Sequence, residues 1–168
     1  MTWIKGISHF GIAVDDLQRS ERFYCDVLGG VIKTRHEGAN AHIGVIIGDQ
    51  ALDVFQRPSP GGSKWAYEVP RGIHFAFEVR REDIDALIEH VRGHGVEVNQ
   101  PVMHGGERRE PSRSLSWYFE DPDGYALEFS VVYPTPEEAR VEWEQRGAHT
   151  RADLTGIWGE RPEPARSS

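Results

Sequence analysis

Two histidines and one glutamate carry the strongest chemical signal in this 168-residue chain. His9 opens the run His9-Phe10-Gly11-Ile12-Ala13-Val14, and His74 opens the similar run His74-Phe75-Ala76-Phe77-Glu78-Val79. Two alike segments this far apart are the mark of an internal repeat. Side chains alternate faces along a strand. Phe10, Ile12 and Val14 therefore share a face and His9 takes the other. Ile73, Phe75, Phe77 and Val79 share a face opposite His74, and Leu127, Phe129 and Val131 share one opposite Glu128. With the apolar sets packed under helices, His9, His74 and Glu128 lie together on the helix-free side. Two imidazoles and one carboxylate form the facial donor set of non-haem iron sites, with positions left open for substrate and dioxygen. The same donors also suit zinc, manganese, nickel or cobalt.

The elements that must position these residues follow the repeat. After the first run, Leu17, Phe23, Tyr24, Val27 and Leu28 pattern a helix ending at Gly29-Gly30. It starts at Asp15 or Asp16, with Gln18 placed for a capping box on Asp15. After the second run, Ile84, Leu87, Ile88 and Val91 give the i, i+3, i+4, i+7 stripe of a half-buried helix that stops near 93–95. Strands are expected near 31–35, 42–47 and 51–56, and again near 96–98, 114–120 and 125–132. Asp121-Pro122-Asp123-Gly124 reads as a turn.

The expected fold is α+β: two tandem βαβββ modules, about 5–57 and 71–132, forming one cupped mixed sheet around a metal site within a domain of residues 1–133. Residues 134–168 are a C-terminal helix and tail. There Thr135-Pro136-Glu137-Glu138 combines an N-cap, a proline at the first helical position and a capping-box glutamate.

The same repeat matches Ala51-Leu52-Asp53-Val54 to Ala126-Leu127-Glu128-Phe129, which makes Asp53 the counterpart of Glu128 and a possible further ligand. Parity puts Tyr118 opposite Trp117 and Phe119, and His42 opposite Ile43 and Val45. His42 is thereby a candidate acid or base near neutral pH, and His104, in a polar loop, is another. Composition narrows the partners. Asp and Glu total 27 against 19 Lys and Arg, and no basic run stands out, so nucleic acid is not expected. Apolar runs are short, which argues against a membrane span. With Cys25 the single cysteine, no internal disulfide can form, and a cytoplasmic location is the expectation.

Three segments carry a resemblance. They are Val14-Asp15-Asp16-Leu17, Phe23-Tyr24-Cys25-Asp26-Val27-Leu28-Gly29, and Tyr118-Phe119-Glu120-Asp121-Pro122-Asp123-Gly124-Tyr125-Ala126-Leu127-Glu128. Over about residues 6–132 the chain resembles the vicinal-oxygen-chelate superfamily. That superfamily contains glyoxalase I, extradiol dioxygenases, methylmalonyl-CoA epimerase and the fosfomycin and bleomycin resistance proteins.

The resemblance implies one divalent metal on His9, His74 and Glu128, with Asp53 at the position of a fourth ligand that glyoxalase-like members fill with Glu. The Tyr118-to-Glu128 run is similar to the end of the extradiol signature, in which the tyrosine touches a substrate oxygen. The histidine expected upstream in that signature is replaced by Arg108, Arg109 and Arg113. The expected function is a ring-cleaving dioxygenase-like enzyme using Fe(II) or Mn(II) on a small vicinal diol or catechol. Tyr118 would hold one substrate oxygen, and His42 or His104 would move protons. One alternative is a glyoxalase-like lyase or isomerase using Zn, Ni or Co. Another is a metal-binding or ligand-sequestering protein of the resistance type, without turnover. Fosfomycin transferases carry a basic residue shortly after the last Glu, and residues 130–138 contain none, which lowers that reading. A homodimer is expected, because an open βαβββ sheet has edges to cover.

Overall fold

The structure, a computed structural model, describes residues 7–57, 74–103 and 112–147. Ile73, His104, residues 58–70 between the two expected modules and the tail beyond 147 lie outside the described residues. The chain divides into two compact units: Met1–Pro70 with Glu120–Tyr125, and Arg71–Phe119 with Ala126–Ser168.

In the first unit, β1 (His9–Val14) is followed by α1 (Leu17–Arg22), β2 (Val31–His36), β3 (His42–Ile47) and β4 (Gln50–Gln56). The four strands form one sheet in the order β1-β4-β3-β2, with β1 parallel to β4 and the other neighbours antiparallel. Asp16 caps α1, its side chain accepting from the Arg19 amide at 2.9 Å. The capping box expected on Asp15 does not form, because the Asp15 amide donates to Asp123 Oδ1 at 2.7 Å instead. Beyond α1 the chain winds on as a π-helical turn over Phe23–Val27, which buries Phe23, Tyr24 and Val27. It ends at Gly29, whose φ of 69° only glycine adopts cheaply.

In the second unit, β5 (His74–Glu78), α2 (Ile84–Gly93), β6 (Val102–Met103), β7 (Ser114–Glu120) and β8 (Ala126–Val132) precede α3 (Pro136–Gln145). Its sheet runs β5-β8-β7-β6, with β5 parallel to β8. The βαβββ plan is therefore written twice, and the hydrogen-bonded ladders fall into two four-stranded sheets. A strand expected at 96–98 is absent. Residues 96–100 are irregular and are tied to β7 by Asn99, whose amide donates to the Tyr118 carbonyl at 3.1 Å. Asn99 Oδ1 accepts from the Tyr118 amide at 2.6 Å, so one side chain does the work of a ladder.

Apolar parity builds both cores. Ile12, Val14, Ile43, Val45, Leu52 and Val54 are buried in the first unit. Ile84, Ile88, Val91, Leu115, Trp117, Leu127 and Phe129 are buried in the second. Thr135 caps α3 as expected, accepting from the Glu138 amide at 3.2 Å, and Arg146 pairs with Asp85 and Glu142.

The turn after β7 belongs to the first unit. Asp121 Oδ1 accepts from the amides of Asp123 and Tyr125 at 2.9 and 2.8 Å, and Oδ2 accepts from the Tyr24 hydroxyl at 2.8 Å. Burial pushes the Asp121 carboxyl above its ordinary range in spite of these donors. Asp123 in turn accepts from Arg19 at 3.0 Å and from the Ser20 hydroxyl at 3.3 Å.

Candidate metal centre

Each unit builds one histidine–carboxylate pair, and the two pairs sit in the same register. In the first sheet His9 lies opposite Ala51 and Gly11 opposite Asp53. In the second His74 lies opposite Ala126 and Ala76 opposite Glu128. The equivalence of Asp53 and Glu128 expected from the repeat is thus a fact of strand pairing. In both, the carboxylate is two residues past the histidine's cross-strand neighbour and shares its face.

The pairs differ in closeness and cover. His74 Nε2 stands 2.9 Å from Glu128 Oε2, and the Glu128 side chain is 8% exposed. His9 Nε2 stands 3.8 Å from Asp53 Oδ2, with Asp53 32% exposed. Asp is one methylene shorter than Glu, so the same backbone register leaves a wider gap.

Neighbouring hydroxyls orient both pairs. Ser116 donates to Glu128 Oε1 at 2.6 Å from a fully buried position on β7. Ser8 Oγ lies 3.0 Å from His9 Nδ1, which leaves Nε2 on the Asp53 side. Hydrogen bonds of this kind hold ligating side chains in place. Neither serine emerged from the sequence reading. For Ser116 the signal was available, since it shares strand parity with Tyr118.

Of the remaining candidates, Tyr118 is buried on β7, and its ring meets the His74 imidazole edge-on, with centroids 5.9 Å apart. His42 lies in the first unit. Its ring is stacked between His36 and Phe55, at 4.3 and 4.6 Å, and Nδ1 contacts the Asn40 carbonyl at 2.8 Å. Cys25 is half-buried, and burial pushes its thiol up, away from nucleophilic use.

The His74–Glu128 pair fits a divalent ion. Two donors each ~2.1 Å from a metal, at roughly a right angle, are about 3 Å apart. His74 Nε2 and Glu128 Oε2 already have that spacing. Among the described residues no three His, Cys, Asp or Glu side chains are gathered into one cluster. Each unit by itself supplies a pair.

Comparison with known proteins agrees with the fold. A family model for the Glyoxalase/Bleomycin resistance protein/Dioxygenase superfamily matches residues 6–129, and the chain belongs to that family. It is 33% identical over 131 residues to a lactoylglutathione lyase from Haemophilus influenzae, a match covering 73% of this chain and 90% of the relative. It is 29% identical over 130 residues to glutathione transferase FosA from Serratia marcescens, covering 76% and 82%. Among solved structures, the fosfomycin resistance protein FosX from Mesorhizobium loti superposes with a TM-score of 0.58 at 26% identity, covering 81% of this chain and 99% of that one. Among the described residues no helix is long and apolar enough to cross a membrane.

Proposed function

We propose that the chain is a metal-dependent enzyme in which His9, His74 and Glu128 hold one divalent ion and Asp53 stays outside its ligand set. The substrate is a small molecule that meets the ion through two oxygens. The observation that supports this best is the matched register of the two histidine–carboxylate pairs. A surface histidine would have no reason to recur at the same pairing position, one residue pair from an acid, in both modules.

A divalent ion there supplies Lewis acidity toward substrate oxygens. The chain's residues do the rest. Glu128 brings a buried negative charge, held in orientation by Ser116, and His74 lies against it. The buried Tyr118 ring fixes the His74 imidazole from its edge. Asp53, a half-buried carboxylate of the first unit, would accept a proton from bound substrate or orient water.

The favoured reaction is a non-redox conversion of the lyase or thiol-transfer type, because the similar proteins carry those names. Ring cleavage with Fe(II) or Mn(II) is the second reading. What favours it is Tyr118, which stands beside His74 as an extradiol tyrosine would. We also propose that the protein works as a homodimer.

The test is metal analysis of protein purified without chelators, followed by three assays on the loaded protein. These are loss of the methylglyoxal–glutathione hemithioacetal, loss of fosfomycin with and without thiol, and oxygen uptake with catechols. Turnover in either of the first two supports the favoured reading. Oxygen uptake alone supports the second. Absence of stoichiometric metal sinks both.

A further inference from the structure

The helix-free face of the first sheet carries a ladder of three rings. His36 on β2, His42 on β3 and Phe55 on β4 stack across adjacent strands, with interplanar angles of 15° and 27°. His36 and His42 are cross-strand partners, as are His42 and Phe55. The next strand in the order is β1, and there the ladder stops. Opposite Phe55 stands Ala13, and two residues earlier on the same face stands Gly11. Among the described residues Phe55 has one ring contact, to His42, and its Cε2 lies on the Gly11 side. Phe55 is 37% exposed and Gly11 is exposed. A Cβ placed on Gly11 would lie 3.6 Å from Phe55 Cε2, in ordinary contact, so the space above this glycine begins at the Phe55 ring. The slot has a polar end, because His9 lies two residues before Gly11 on the same face and Asp53 is the cross-strand partner of Gly11.

We infer that this slot takes a flat conjugated ring. The ring of a substrate occupies the fourth rung of the ladder, stacked on Phe55 above Gly11 and Ala13, with an oxygen substituent directed at His9 and Asp53. Offset stacking favours a flat ring over a puckered one of the same size. The small residues of β1 are what leave room for it. Gly11 and Phe55 thus set specificity for the substrate's ring, and only the direction given to its oxygen rests on the reading that His9 belongs to the site.

Benzyl alcohol and cyclohexylmethanol test it, being neutral, alike in size and different in ring shape. Each is titrated into the full chain, metal-free and metal-loaded, while amide NMR shifts of Gly11 and Ala13 are followed. Benzyl alcohol is expected to move both amides and to bind roughly 3- to 10-fold tighter than cyclohexylmethanol. Phe55→Leu should remove that preference while leaving metal content unchanged. Gly11→Val should block benzyl alcohol, and Gly11→Ala should retain most binding and serve as the folding control. Equal affinity for the two alcohols, or a preference that survives Phe55→Leu, would overturn the inference. So would shifts that bypass Gly11. Metal content of the same samples separates the two ideas. A protein that prefers benzyl alcohol but holds no metal refutes the proposed enzyme and leaves the ring slot standing. A protein that holds metal without ring preference does the reverse.

Discussion

Single side chains divide the labour within the candidate centre unequally. Glu128 is buried with both oxygens engaged, one by Ser116 and one beside His74. A buried carboxylate is costly unless paired, so its place is consistent with a cation to offset it. His74→Ala is expected to abolish stoichiometric metal, because the remaining donors bind weakly, and elemental analysis after gel filtration reads this directly. Ser116→Ala should retain the fold and weaken metal affinity by roughly tenfold, the usual scale for removing a ligand's orienting hydrogen bond; competition with a chromogenic chelator measures it. Asp53→Asn is expected to hold metal almost as the natural protein does while losing turnover. If metal retention falls as far as in the His74 variant, Asp53 is a ligand and the three-residue set is wrong.

Secondary-structure elements are held by a few contacts that can be broken singly. Gly30 follows the π-helical turn where the chain passes close beneath β3. A Cβ there would lie 2.6 Å from the Tyr24 carbonyl oxygen and 2.6 Å from Val45 Cγ1. The carbonyl is backbone and cannot swing aside, so Gly30→Ala should cost about 1–3 kcal/mol in urea unfolding.

The α3 helix depends on charge. Arg146 pairs with Asp85 at 2.5 Å and with Glu142 at 2.8 Å, and Arg81 pairs with Glu142 at 2.5 Å. The Arg146 hydrogen bond holds the Asp85 carboxyl below its ordinary value. Burial raises Glu142, but hydrogen bonds from Arg81 and Arg146 outweigh it, and the net direction is also down. A carboxylate depressed in the folded state contributes stability above its unfolded value, about 4, and loses it as pH falls through the lower folded value. Hydrogen-exchange protection of α3 should therefore hold from neutral pH to about 4 and collapse below it, with the other strands outlasting the helix. Buried Asp121 acts in the opposite sense. Its raised value favours folding slightly as pH drops below that value, so it does not contribute to the acid loss.

At the scale of the whole molecule, each four-stranded sheet ends, among the described residues, on two edge strands: β1 and β2 in the first, β5 and β6 in the second. The β1 edge is partly covered, since the Tyr125 hydroxyl donates to the Ala13 carbonyl at 3.0 Å and lies 3.3 Å from its amide. Exposed edges are usually paired or blocked, and a dimer is the expected solution. Light scattering at micromolar concentration should give about twice the chain mass of 19.0 kDa, and a monomer mass would refute the assembly.

Much of this protein is legible from residue order because its logic is periodic. Alternation along the strands that carry His9, His74 and Glu128 predicts which side chains share a face, and the repeat equates Asp53 with Glu128, a match the ladders show as the same register. Thr135, Gly29 and the Asp121 turn announce themselves because capping and positive φ are local requirements. What periodicity leaves undetermined is set by contacts between residues far apart in the chain. The Asp15 capping box fails because its amide reaches residue 123. The strand expected at 96–98 gives way because Asn99 already satisfies the Tyr118 backbone group with its side chain. The turn after β7 serves the first unit through Tyr24, Arg19 and Ser20, a partnership that no window of sequence contains. The same holds at the candidate centre. Strand parity put Glu128 on the open face, but only the fold surrounds it with Ser116 and His74 and leaves Asp53 half-buried, because burial and a 2.9 Å spacing depend on where neighbouring strands come to rest.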